Sequence, residues 1–178
     1  PQTSPSPPTV VDTTCTVPPG TVLDVSTAGT SGLNASGSTG AIDAQTVTIN
    51  LRAANTSAAL AQAGAAIRLD QDTVTSASAG TQANGQTGLR AVGDGSSITA
   101  TNSTITLAPA TGTTIGLRGA RAESRGDPLV FRSNIPVRGG AHGTPNHWVH
   151  ASGTGSTIAF TNGRIDTLSR GAFGVLAD

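Results

Sequence analysis

The phrase GSSITATNSTITL, Gly95 to Leu107, returns as GSTIAFTNGRIDTL at Gly155 to Leu168. The second copy sets Ile158 over Ile98, Asn162 over Asn102 and Ile165 over Ile105. Both copies alternate apolar and polar residues with period 2, which is the signature of a strand with one buried face. A chain that restates such a phrase at a distance is returning to the same environment, as the coils of a solenoid do.

A shorter phrase recurs more often: AIDA at 41–44, AIRL at 66–69, GLRA at 88–91, GLRG at 116–119, WVHA at 148–151 and GVLA at 174–177. Its aliphatic second positions are Ile42, Ile67, Leu89, Leu117, Val149 and Val175, spaced by 25, 22, 28, 32 and 26 residues. Further alternating segments lie between them, among them TVTINL (46–51), STITL (103–107) and STIAFT (156–161), separated by turn residues. Several short strands per unit, with no helical periodicity, predict an all-β chain. The expected fold is a right-handed, single-stranded parallel β-helix of about six to seven coils. A β-sandwich is the alternative, but antiparallel hairpins supply no reason for the phrase to persist.

Composition agrees with a slender interior. Only 2% of residues are aromatic, Met is absent, and Gly numbers 23. Buried area must therefore come from Ala, Val, Ile, Leu and Thr methyls, which suits thin stacked layers. Period 2 predicts one inward ladder of Ile42, Ile67, Leu89, Leu117, Val149 and Val175. A second wall is expected from Ile98 and Ile158 with Ala100 and Phe160, and a third from Ile105 and Ile165. Residues 1–20 hold six of the ten prolines and read as a flexible leader, leaving 21–178 for the β-helix. The 32-residue gap points to a loop insertion at about 120–147.

The pattern GLRAVGDGSSITATNSTITL…GLRG resembles the passenger domains of pertactin-like autotransporters, surface proteins of Gram-negative bacteria. The resemblance covers most of residues 40–178. It implies export, passage across the outer membrane with the help of a C-terminal β-barrel translocator, and display at the cell surface or release from it. GVLAD stops in mid-pattern, so the chain reads as an N-terminal fragment of a longer passenger. Its last coil would then offer an unpaired edge for self-association. The expected role is that of an adhesin, a virulence-associated binding module that meets host-cell receptors or acidic glycans. The competing class is a secreted hydrolase whose active site lies mostly outside this fragment.

Two groups of residues carry the contact chemistry. Arg125, Gly126 and Asp127 form the triplet that integrins read through a cation-bound Asp carboxylate and an Arg in an acidic groove. Pertactin-like adhesins carry it too, and Pro128 biases Asp127 toward an extended, presentable conformation. The plain alternative is a chance triplet. Arg68, Arg90, Arg118 and His150 follow the inward aliphatics of successive units and are expected to stack as a basic stripe, with Trp148 beside it. Such a line suits carboxylate or sulfate recognition. The plain alternative is a solvated ladder neutralised by Asp70, Asp72 and Asp94.

Catalysis finds less. Asp72 and Asp94, 22 residues apart, would be stacked acids of a glycosidase if one coil separated them. A polysaccharide lyase of this fold would want Lys or a calcium cluster, and all ten basic residues are Arg. No G-x-S-x-G motif is present. His142, His147 and His150 have irregular spacing for zinc, and Cys15 is the lone thiol. No catalytic residue, metal or cofactor is expected. The zero formal charge removes any bulk drive toward nucleic acid.

Overall fold

The computed structural model describes residues 6–76, 84–107, 118–123, 128–132, 136–139, 146–152, 157–161, 164–167 and 172–177. These form strands and turns alone. The first coil holds β1 (Thr9–Val11), β2 (Thr14–Val17) and β3 (Val22–Val25); the second holds β4 (Ser31–Ser36), β5 (Ala41–Gln45) and β6 (Thr48–Leu51). The third has β7 (Ser57–Gln62), β8 (Ala66–Asp70) and β9 (Thr73–Ser76), and the fourth β10 (Thr87–Val92), β11 (Ser97–Thr101) and β12 (Thr104–Thr106). The fifth has β13 (Arg118–Glu123), β14 (Pro128–Arg132) and β15 (Pro136–Gly139). The sixth has β16 (Asn146–Ser152), β17 (Thr157–Thr161) and β18 (Arg164–Thr167), and β19 (Ala172–Ala177) opens a seventh.

Every third strand pairs, always in parallel. Sheet A runs β1-β4-β7-β10-β13-β16-β19, sheet B runs β2-β5-β8-β11-β14-β17, and sheet C runs β3-β6-β9-β12-β15-β18. The fold is thus a three-walled parallel β-helix. From β1 to β19 there are six inter-coil steps, about 29 Å at the usual strand spacing.

The interior is built of ladders. On sheet A, Leu33, Ala59, Leu89 and Ala120 are fully buried and in register, and Val149 and Val175 continue the column. Beside it runs a column that opens with Val10 and continues in alanines: Ala35, Ala61, Ala91, Ala122, Ala151 and Ala177. Sheet B contributes Ile42, Ile67 and Ile98, then Leu129 and Ile158 by register; sheet C contributes Leu23, Ile49, Val74 and Ile105, then Val137 and Ile165. Identical shapes stacked one above another fill a thin core without large side chains.

The expected second and third walls are present, with Ala100 in line with Phe131 and Phe160. The two copies of the opening phrase lie two coils apart, in β11–β12 and β17–β18. The first expected ladder is divided between two walls. Ile42 and Ile67 belong to sheet B beneath Ile98, whereas Leu89, Val149 and Val175 belong to sheet A. Leu117 lies outside the described residues. Both walls carry the same small-aliphatic-polar-aliphatic rhythm, so the phrase does not tell them apart.

The boundaries differ as well. Residues 9–17, read as part of a flexible leader, form two strands of the first coil, with Val10 and Val17 buried in the core and Cys15 packed against it. The span 120–147, read as a loop insertion, contains β14 and β15 and parts of β13 and β16. Prolines at strand starts, such as Pro128 and Pro136, do not interrupt a ladder.

In the second, third and fourth coils the corner between sheets B and C is two residues: Thr46-Val47, Gln71-Asp72 and Asn102-Ser103. The first of each pair is left-handed, with φ of 54°, 58° and 51°, and the second is buried at 1% exposure. Asn102 adopts such a backbone readily; Thr46, being β-branched, does so at some cost.

Candidate functional site

The outer face of sheet A carries the clearest concentration of basic residues. Its register sets Arg90 beside Arg121, and Arg121 beside His150. Below Arg90 the same column holds Leu60 and Asn34. Arg90 and Arg121 are half-buried, with the Nε atom of each shielded from solvent. Adjacent strands lie about 4.8 Å apart, so two guanidinium charges repel by roughly 1 kcal/mol even in water.

This column corrects the expected stripe. Arg68 lies on sheet B, between Asp43 and Thr99, and therefore faces a different direction from Arg90. Arg118 is on sheet A, but its register partners are Thr87 and His147 rather than Arg90 and His150. The residue in line with Arg90 is Arg121, which the recurring phrase did not single out. The signal was the closing alanine of each sheet A unit: GLNA (32–35), AALA (58–61), GLRA (88–91), GARA (119–122), WVHA (148–151) and GVLA (174–177). Aligned on that alanine, GARA replaces GLRG and Arg121 replaces Arg118.

Trp148 lies between His147 and Val149, whose partners are Arg118 and Ala120, so by count it stands level with Gly119 and Gly88. Both glycines are buried, and a Cβ at Gly88 would collide with the Gly119 carbonyl oxygen. This column is one of close backbone approach. The glycan platform expected of Trp148 thus falls at a register position where the coils below hold Gly119, Gly88, Ala58 and Gly32.

Sheets B and C bear charges of mixed sign. On sheet B a shallow cleft of about 430 Å³ is lined by Arg68, Leu69, Asp70, Thr99 and Thr101. Asp70 accepts hydrogen bonds from Gln45 Nε2 and Asn102 Nδ2, each at 3.4 Å, along the coil axis. On sheet C, Asn50 donates to Asp24 at 2.8 Å and Thr75 donates to Asn50 at 2.9 Å. Arg52 Nε approaches Asp24 to 2.9 Å, and this contact with the Asn50 bond holds the Asp24 carboxyl below its ordinary range.

The carboxylates do not form a catalytic pair. Asp72 is buried at the corner between sheets B and C, while Asp94 is exposed at the corner between sheets A and B. Twenty-two residues are less than one full turn here, because strand β10 begins 30 residues after β7. Asp72 Oδ1 accepts the Val47 N–H at 2.6 Å, and the Asp72 N–H donates to Ser103 Oγ at 3.1 Å. Burial pushes its pKa up to about 6; the Val47 bond opposes this and the charge of Asp70 adds to it. Among the described residues no group of three His, Cys, Asp or Glu is placed to hold a metal. Arg125, Gly126, Asp127 and His142 lie outside the described residues, the triplet in the interval between Glu123 and Pro128.

Comparison with protein-family models, with curated proteins and with solved structures returned no match. The fold and the distribution of charge over its walls are therefore the basis for a functional reading.

Proposed function

We propose that this chain is a stretch of a bacterial cell-surface passenger of the autotransporter kind, working as a non-enzymatic rod that carries contact residues outward from the membrane. The observation that supports it most is the stack itself: parallel strands continue in register from Thr9 to Ala177 on all three walls. A β-helix converts chain length into distance at one strand spacing per coil, and its stiffness comes from backbone hydrogen bonds along the rod axis. Sheet outer faces then present side chains at fixed intervals to a partner, and turns present loops. In this reading the partners are host-cell receptors or acidic glycans. Anchoring to the outer membrane falls to a β-barrel elsewhere in the full-length protein.

The test is immunolabelling of intact cells that carry the native gene, with the purified chain immobilised in parallel as a substrate for host-cell attachment. Labelling without permeabilisation, together with attachment, is the expected result. Labelling that appears only after the cells are opened overturns the surface assignment. Hydrolysis of a generic ester or glycan panel by the purified chain overturns the non-enzymatic one.

A further inference from the structure

A chain with no net charge has Arg on all three walls, but the described strands balance it with acids less on sheet A than on sheets B and C. Arg90 pairs with Arg121 on sheet A, both half-buried, whereas Arg118 falls in the separate register column of the buried Thr87 and Ser57. The next strand sets His150 against Arg121, continuing the line. One acid, Glu123, shares these three strands. On the other walls the signs alternate: Asp43 stands beside Arg68 on sheet B, and Arg138 beside Asp166 on sheet C.

We propose that sheet A from β10 to β16 is a docking face for a sulfated polysaccharide lying along the axis of the helix. Guanidinium groups bind sulfate oxygens through paired, charge-assisted hydrogen bonds, and a linear polyanion needs such groups repeated in a line. The coil spacing supplies that line. With Nε of Arg90 and Arg121 already shielded against the wall, less side-chain freedom is lost on binding than for cations on a loop. A polynucleotide would ask for aromatic side chains on which bases stack. The column itself, Thr9, Asn34, Leu60, Arg90 and Arg121, offers none, and β10, β13 and β16 together hold a single one, Trp148, where a polynucleotide would want a run of them. The proposal rests on the cell-surface reading, which is what brings this wall to extracellular polysaccharide.

The experiment is retention of the purified chain on immobilised heparin and calorimetric titration with a heparin oligosaccharide at two salt concentrations. Binding that weakens steeply with salt is expected. Arg90→Gln and Arg121→Gln should each lower affinity roughly tenfold, the size of a lost charge-assisted hydrogen bond. Arg68→Gln and Arg52→Gln, away from this wall, should leave it unchanged. Absence of retention, equal weakening by Arg68→Gln, or equally tight binding of single-stranded DNA at the same salt overturns the proposal. A second readout uses the unaltered protein. Heparin should shield Arg90 and Arg121, but not Arg52, from phenylglyoxal, and uniform reactivity counts against the site. These outcomes leave the surface labelling of intact cells untouched, so the two readings fail separately.

Discussion

Asp72 reaches across one coil to take the Val47 N–H at 2.6 Å, and it does so from a position with 1% exposure. Its second carboxylate oxygen is equally shielded and accepts no hydrogen bond. The corner column reads Val47, Asp72, Ser103, so an ionisable group occupies a place where its neighbours are an aliphatic side chain and a hydroxyl.

The first prediction concerns pH. The folded-state pKa of Asp72, about 6, lies above its ordinary value of 3.8, so between those values the folded chain binds more protons than the unfolded one. Stability must then fall as pH rises through 6 and recover toward pH 4. The effect is on the order of 1–3 kcal/mol. Asp72→Asn keeps an acceptor for the Val47 N–H and removes the charge. It should raise the urea midpoint at pH above 6 and flatten the pH profile; an unchanged profile contradicts the raised pKa.

A second prediction follows from Gln86, which is fully buried at the corner between sheets C and A. Its Nε2 donates to the Ala53 and Leu51 carbonyls at 3.0 and 3.3 Å, and its Oε1 accepts from Ser76 Oγ at 2.7 Å. Gln86→Leu keeps the volume but strips these partners, and should cost about 2–4 kcal/mol as buried groups lose their bonds. Thermal unfolding checks it; a loss under half a kcal/mol would show the corner re-satisfied by water.

Gly88 supplies the third. A Cβ there would meet the Gly119 carbonyl oxygen and come within 2.8 Å of Ile105 Cγ2. Backbone at that distance cannot yield cheaply, so Gly88→Ala should destabilise by about 1–3 kcal/mol. An increase in melting temperature, the usual result where glycine is merely loose, would refute the close packing of this column.

The fourth tests the Arg125-Gly126-Asp127 triplet. Lengthening the acid by one methylene in Asp127→Glu should abolish host-cell attachment to the immobilised chain, since cation-mediated recognition depends on carboxylate reach. Attachment at the unaltered level would make the triplet a coincidence of composition.

Much of the architecture was legible in the order of residues. Alternation separates inward from outward positions, and recurrence of the phrase around Ile98 and Ile158 shows that the chain returns to one wall. Together they specify a parallel β-helix and place Ile105 with Ile165. The buried role of Asp72 was not legible, because the corner turns a polar residue inward only once Gln71 adopts positive φ. Prolines misled at residues 9–17, where hydrogen bonding to the second coil orders a segment that composition marks as loose.

The sequence by itself determined the kind of object this protein is, since period 2 and repetition are local properties that every coil restates. Only the tertiary structure decided which wall each phrase occupies, and hence that Arg121, not Arg68 or Arg118, stands in line with Arg90. The physical reason is that register belongs to hydrogen bonds between strands some thirty residues apart. A segment's own alternation shows which side faces in, but not which neighbour it will lie beside.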